Sequence, residues 1–316
     1  MSVIVLLGPQ RFEPSLSGVV AEMGIDGSIA AVTAGWQERE GEDQELRDHL
    51  AGRVVNLRLH ARAEQVFAAD GALFAALRWR QNRLKELQRL YRLRLDPVLS
   101  AARAMRLVRG EAALVEPERR AALEMLRDLD RHHLERVRAI HREHQEEVAD
   151  LSSPLLAEHR EELAEELAGC AALALAGGHV AVLLNRLRLF GILDLIAGRP
   201  IFAWSAGAMV LASRVVLFHD SPPQGAGNAE VLENGCDLLG DFLPLPHGGR
   251  RLRLDDPLRV ELFARRFGPE RCCTLDPGAR VVLRRGRLVE HEGVLRLGKD
   301  GRVAPLKKRG RRAVTA

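Results

Sequence analysis

The chain has 316 residues, of which 47% are hydrophobic, 28% charged and only 4% aromatic, with a formal net charge of +4. That balance suits one large globular domain, or a domain with a sizeable insertion, and excludes a disordered or fibrous chain. So few aromatic rings make nucleic acid an unlikely partner, and no run of about 18 uninterrupted apolar residues is present to span a membrane.

Val3 to Leu7 is a short apolar run closed by Gly8-Pro9, which reads as a buried strand and a loop. The N-terminus has no basic segment and too short an apolar run for a secretory leader. Residues 13–23 carry a helical pattern through Leu16, Val19, Val20 and Met23. Ile29 to Val32 predicts a second strand, residues 40–50 a polar helix, and Val54 to Leu57 a third strand. Strands that are apolar throughout, alternating with helices, indicate a parallel sheet covered on both faces.

From about Asp70 to Gly169 the residues are almost all helix formers, rich in Leu, Ala, Arg and Glu. Leu73, Leu77, Leu84, Leu87 and Tyr91 recur near a/d spacing, as do Leu123, Leu126, Val137, Ile140, Val148 and Leu151. Pro97, Pro117 and Pro154 are expected to begin new helices. The imperfect pattern favours a packed hairpin or small bundle over a free coiled coil. The α/β rhythm returns with a strand at Ala171 to Ala176, a helix over 180–197, and strands at Pro200 to Trp204 and Val215 to Phe218. A late helix over 255–267 and short strands over 271–304 complete the chain.

Ala203-Trp204-Ser205-Ala206-Gly207-Ala208 is the strongest chemical signal. A buried strand delivers a serine into a run of tiny residues, as a sharp strand-to-helix turn requires. Such a turn exposes Oγ at the carboxyl edge of the sheet and leaves the Ala206 N–H free for an oxyanion. An ordinary serine N-cap has the same local sequence, and Ala203 stands where glycine is common. Gly177-Gly178, after the preceding strand, could supply a second oxyanion N–H or simply a turn. A nucleophilic serine needs a base and an orienting acid. His219 and Asp220 are adjacent and point to opposite faces of an extended chain, so Asp220 with His247 is the more workable pair.

These residues resemble the peptidase E (α-aspartyl dipeptidase) and cyanophycinase family, within the class I glutamine amidotransferase-like superfamily. W-S-A-G-A after a short strand, G-G after the strand before it, H-D-S-P and L-P-L-P-H carry the resemblance over roughly residues 1–60 and 170–290. It implies a flavodoxin-like three-layer α/β sandwich with a mostly parallel sheet. It also implies a Ser–His–acid triad of Ser205, His247 and Asp220, with Gly178 and Ala206 N–H groups as the oxyanion hole. Relatives have Asn or Gln after the glycine pair, where this chain has His179 and Val180. Glutamine amidotransfer itself is disfavoured, because that chemistry uses a cysteine at the elbow.

The expected organisation is an amidotransferase-like α/β domain over 1–69 and 170–304, an inserted helical unit over 70–169, and a basic tail over 305–316. The insertion is expected to serve as a lid, a specificity wall or a contact between copies. The expected activity is hydrolysis of a peptide or amide bond without a cofactor or metal. The competing reading is a catalytically idle module whose helices bind a protein partner. An esterase of the α/β-hydrolase type is disfavoured by the short Ser205–His247 spacing and the lack of an upstream H-G loop. His141 and His144 could share a metal, but a packing or solvated face is the expectation. Four cysteines without a C-x-x-C pair read as reduced thiols in the cytoplasm.

Overall fold

The computed structural model describes residues 3–149, 151–223 and 227–307. The first part is β1 (Val3–Leu7), α1 (Leu16–Glu22), β2 (Ser28–Val32), a 3-10 turn over Ala34–Arg39, α2 (Gln44–His49), β3 (Val54–Asn56) and α3 (Leu59–Ala69). Three helices follow: α4 (Gly71–Leu107), α5 (Ala112–Val148) and α6 (Pro154–Ala168). Then come β4 (Cys170–Leu175), α7 (Val180–Phe190), α8 (Ile192–Leu195), β5 (Ile201–Trp204), α9 (Ala206–Val210), β6 (Arg214–Leu217) and β7 (Glu230–Asn234). The last part is β8 (Phe242–Pro246), α10 (Gly248–Arg251), α11 (Pro257–Arg266), β9 (Arg271–Leu275), β10 (Arg280–Arg284), β11 (Arg287–Glu292), β12 (Leu295–Leu297) and β13 (Val303–Pro305). Residues 308–316 of the expected basic tail lie outside the described residues.

The main sheet has the order β11-β10-β1-β5-β4-β2-β3, parallel from β1 through β3 with β10 and β11 antiparallel at one edge. Alternate residues of each strand point to opposite faces. Val5, Leu7, Ile29, Ala31 and Phe202 face the side covered by Leu16 and Val20 of α1 and Leu46 of α2. Ile4, Leu6, Ala30, Val32 and Leu173 face the larger core, with Ala63 of α3 and Leu183 and Leu187 of α7. Burying both faces is why the strands carry no polar alternation. The fold is therefore a three-layer α/β sandwich with a mostly parallel sheet, consistent with a flavodoxin-like architecture. A second sheet, β13-β12-β9-β8, pairs β8 and β9 in parallel, and β6 and β7 form a separate antiparallel pair.

Two sequence expectations need correction. The helix expected over 180–197 breaks at Gly191, whose φ of 67° closes α7 in the left-handed conformation that glycine tolerates. Pro97 and Pro117 lie inside α4 and α5 rather than at new starts. Pro97 is flanked by Leu95 and Leu99, both buried against the rest of the core. An interior proline costs about 3 kcal/mol, and burying two leucines returns about 1.5–3 kcal/mol each, so α4 stays continuous. Pro154 does begin α6.

Helices α4 and α5 are each 37 residues long, so each spans roughly 55 Å. They pack against each other as a hairpin, and α5 lies against β7 and α11. A fully buried polar cluster fastens the hairpin to the rest of the fold. Arg266 of α11 donates through Nε and Nη2 to the two oxygens of Asp130 on α5, both at 2.8 Å. Tyr91 of α4 donates to Asp130 at 2.8 Å and accepts from Arg266 at 2.7 Å. The Tyr91 oxygen also accepts the Val231 N–H of β7 at 3.2 Å. Among the described residues no helix is long and apolar enough to cross a membrane.

Candidate active site

Strand β5 sits between β1 and β4 in the sheet, and its last residue, Trp204, is buried. Ser205 follows with φ 50° and ψ −122°, a combination that costs a non-glycine residue about 1–3 kcal/mol. Such strain persists only where the surroundings over-determine it. Here α9 is buried along its whole length, and a Cβ on Gly207 would collide with the Leu175 carbonyl at the end of β4. The S-A-G run is thus a backbone requirement: the helix must start hard against the neighbouring strand.

Strand β8 ends in Pro246, and His247 adopts the left-handed conformation with φ 57°. Its N–H donates to the Leu275 carbonyl at 3.1 Å, and Gly248 follows where a Cβ would meet the Thr274 side chain at 2.6 Å. This turn brings the imidazole onto the serine: Ser205 Oγ and His247 Nε2 lie 3.1 Å apart. Both residues are half-buried and reach solvent. Burial, with the cations Arg251 and Arg250, pushes His247 below its ordinary value, and Asp276 pulls it the other way. The ring is therefore neutral at neutral pH and able to accept the Ser205 proton.

Asp220 does not stand behind His247. One carboxylate oxygen accepts the Arg253 N–H at 2.7 Å, and the other accepts from Arg259 Nη2. Its backbone N–H donates to the Arg251 carbonyl at 2.8 Å. Asp220 is a staple for the segment that joins α10 to α11. It misses the imidazole because β6 ends away from the main sheet, paired only with β7. The carboxylate whose charge acts on His247 is Asp276. Pro246 and Leu275 are register partners in the parallel pair β8–β9, so the next residues, His247 and Asp276, leave the sheet side by side. Asp276 is held in place by the Gly249 N–H, at 3.0 and 3.2 Å from its two oxygens. His219 turns locally instead, accepting the Ser221 N–H at 3.3 Å.

The glycine pair after β4 lies against the serine. A Cβ on Gly177 would stand 2.8 Å from Ser205 Cβ, and Gly178 has φ 110° with its α-carbon packed on the Gly35 backbone. The Gly35 carbonyl accepts the His179 N–H at 2.7 Å, tying the loop after β2 to the loop after β4. His179 caps α7, accepting the Val182 N–H at 3.3 Å through Nδ1. Neither the Gly178 nor the Ala206 N–H has a hydrogen-bond partner among the described residues. Ala206 directly follows Ser205, and Gly178 follows Gly177, the glycine that packs against the Ser205 side chain; a tetrahedral oxyanion would need donors there. The four cysteines are free, and burial pushes Cys236 up to about 11 and Cys273 up to about 12. His141 contacts Glu233 at 3.0 Å, and His144 is buried.

No family model matches the chain, and no curated protein matches it. Solved structures similar to it include two peptidases. One is a peptidase from an acI-B1 actinobacterium, 12% identical, over 95% of this chain and 91% of that one, with a TM-score of 0.47. The other is a putative peptidase E protein from Listeria monocytogenes EGD-e, 19% identical, over 44% of this chain and 65% of that one, with a TM-score of 0.30. Both likenesses are distant, and the reading of the site rests on its own geometry.

Proposed function

We propose that the protein is a serine hydrolase of the peptidase E and cyanophycinase kind, cleaving a peptide or amide bond. The observation that carries this reading is the 3.1 Å contact between Ser205 Oγ and His247 Nε2 at a strained strand-to-helix turn. In this mechanism Ser205 Oγ attacks the substrate carbonyl and its proton passes to His247 Nε2. The Gly178 and Ala206 N–H groups receive the oxyanion. His247 then gives the proton to the departing amine, and water releases the acyl group by the same steps in reverse order. Asp276, in place of Asp220, supplies the negative charge that stabilises the imidazolium.

The test is labelling with a fluorophosphonate probe. Wild type is expected to label, Ser205→Ala to lose all labelling, and His247→Ala to label about 10²–10⁴-fold more slowly. A folded wild type that does not label overturns the hydrolase reading and leaves the idle interaction module. A peptide and amide library then identifies the substrate.

A further inference from the structure

A cavity of about 910 Å³ lies away from Ser205. It is bounded by the first turns of α4, the last turns of α5, α6, the α7–α8 corner and the end of β7. Ile201, the first residue of β5, lines it, whereas Ser205 follows the last. The two places are therefore separated by roughly 13 Å along one strand. Ligands of open parallel sheets sit at the carboxyl ends of the strands, so this cavity is a second place rather than an extension of the first. Its volume is within the range of small-molecule sites.

Its lining is divided by chemistry. Leu73, Leu77, Leu156, Leu187, Ile196 and Leu238 form an apolar wall. Arg80, Arg138, Arg142, Arg160 and Arg188 supply five guanidinium groups, against one lining carboxylate, Asp194. Arg188 is matched by the buried Glu233, at 2.7 Å. Among the described residues the other four form no salt bridge, although the charge of Glu233 also reaches Arg80, and Arg138 and Arg142 have no hydrogen-bond partner. Arg80 donates through Nη2 to Asn185 at 2.9 Å, but its buried Nε has no protein partner. Nε2 of His144, a residue only 5% exposed, is likewise without one. Buried polar atoms are almost always paired within a protein, and here two unpartnered ones belong to residues lining one chamber with a surplus of positive charge. The exposed Arg138, Arg142, Gln145 and Arg160 mark where the chamber meets solvent.

We propose that this chamber binds a small amphiphilic anion, with a carboxylate or phosphate head between Arg80, His144 and Arg142 and an apolar body along the leucine wall. The apolar side accounts for the leucines and the head for the unmatched donors. A purely apolar ligand would leave the guanidinium groups desolvated and unpaired, and a cation would be repelled.

Isothermal titration of the full-length protein with octanoate, octyl phosphate, octanol and octylammonium tests this. One octanoate or octyl phosphate per chain is expected, with the tighter of the two identifying the head group. Octanol is expected to bind at least about tenfold more weakly, and octylammonium not at all. Arg80→Gln and Arg142→Glu should each weaken octanoate binding by about tenfold or more. Arg142 is exposed, so its variant folds even if Arg80→Gln does not. Ser205→Ala should bind octanoate as wild type does, and Arg142→Glu should label with fluorophosphonate as wild type does. Octanol binding as tightly as octanoate, no binding of either anion at millimolar concentration, or loss of binding in Ser205→Ala overturns the proposal.

Discussion

The two ends of β5 are built from different materials. At the carboxyl end, geometry is set by backbone: Ser205 and His247 both have positive φ, and Gly177, Gly178, Gly207 and Gly248 allow chains to touch where side chains would collide. At the amino end, the chamber is set by side chains, with arginines from four helices around a leucine wall. A reacting centre needs donors and a nucleophile held within fractions of an ångström, which packed backbone provides. Recognition of a charged head needs surplus charge in a low dielectric, which arginine side chains provide. The helical hairpin contributes to the second and leaves the first to the sheet.

That division is most easily broken at the Tyr91–Asp130–Arg266 cluster, which joins α4, α5 and α11. Asp130→Ala leaves Arg266 buried without its counter-charge, and breaking a buried pair from one side costs about 3–5 kcal/mol. Urea denaturation should show a loss of that size. Because Ser205 is held by β4, β5 and α9 and not by the hairpin, fluorophosphonate labelling in the absence of urea should persist. Loss of labelling together with a small stability change would mean that the hairpin supports the serine directly.

At the sheet end the sharper variant is Gly177→Ala. The added methyl would stand 2.8 Å from Ser205 Cβ, so the serine must move. A shift of about 1 Å at a reacting group costs on the order of 10²-fold in rate. The labelling rate should fall by that factor while thermal stability changes little, since Gly177 faces the site and not the larger core. Gly177→Ala labelling at the wild-type rate would mean that the turn is not held as tightly as its φ and ψ imply.

The serine elbow was legible in the sequence because its requirements are local: an apolar strand, a serine, then residues too small to obstruct. The strand-helix alternation, the glycine pair and the late helix were legible for the same reason. The acid was not. Asp276-Pro277-Gly278 has the composition of a turn, and its carbonyl does accept the Ala279 N–H at 2.9 Å. Its role depends on β9 pairing in parallel with β8, which no local pattern announces. Asp220 looked suitable because it follows a strand, but that strand belongs to a separate two-stranded pair. The prolines of the hairpin misled for a related reason, since burial of Tyr91, Leu95 and Leu99 outweighs the local preference at Pro97. The chamber at the amino end was invisible because its lining comes from elements far apart in the chain.

The smallest effect expected is also the most discriminating between the two carboxylates. His247 lies below its ordinary value because burial, Arg251 and Arg250 disfavour the imidazolium, and Asp276 is the group that favours it. Labelling requires the neutral ring, so its rate falls on the acid side as His247 takes up a proton. Removing the charge in Asp276→Asn takes away the favourable partner of the imidazolium, so the acid limb should move to still lower pH. The plateau rate should drop as well, by about tenfold, because the imidazolium formed in the transition state loses the same support, with each tenfold corresponding to about 1.4 kcal/mol. Asp220→Asn breaks the contact with Arg259 and should reduce stability, but it should leave both the acid limb and the plateau where they are in wild type. A pH profile of fluorophosphonate labelling for the three proteins separates the cases. If Asp220→Asn moves the limb and Asp276→Asn does not, the acid of the triad is the residue that follows β6, and the pairing of β8 with β9 has no part in the chemistry.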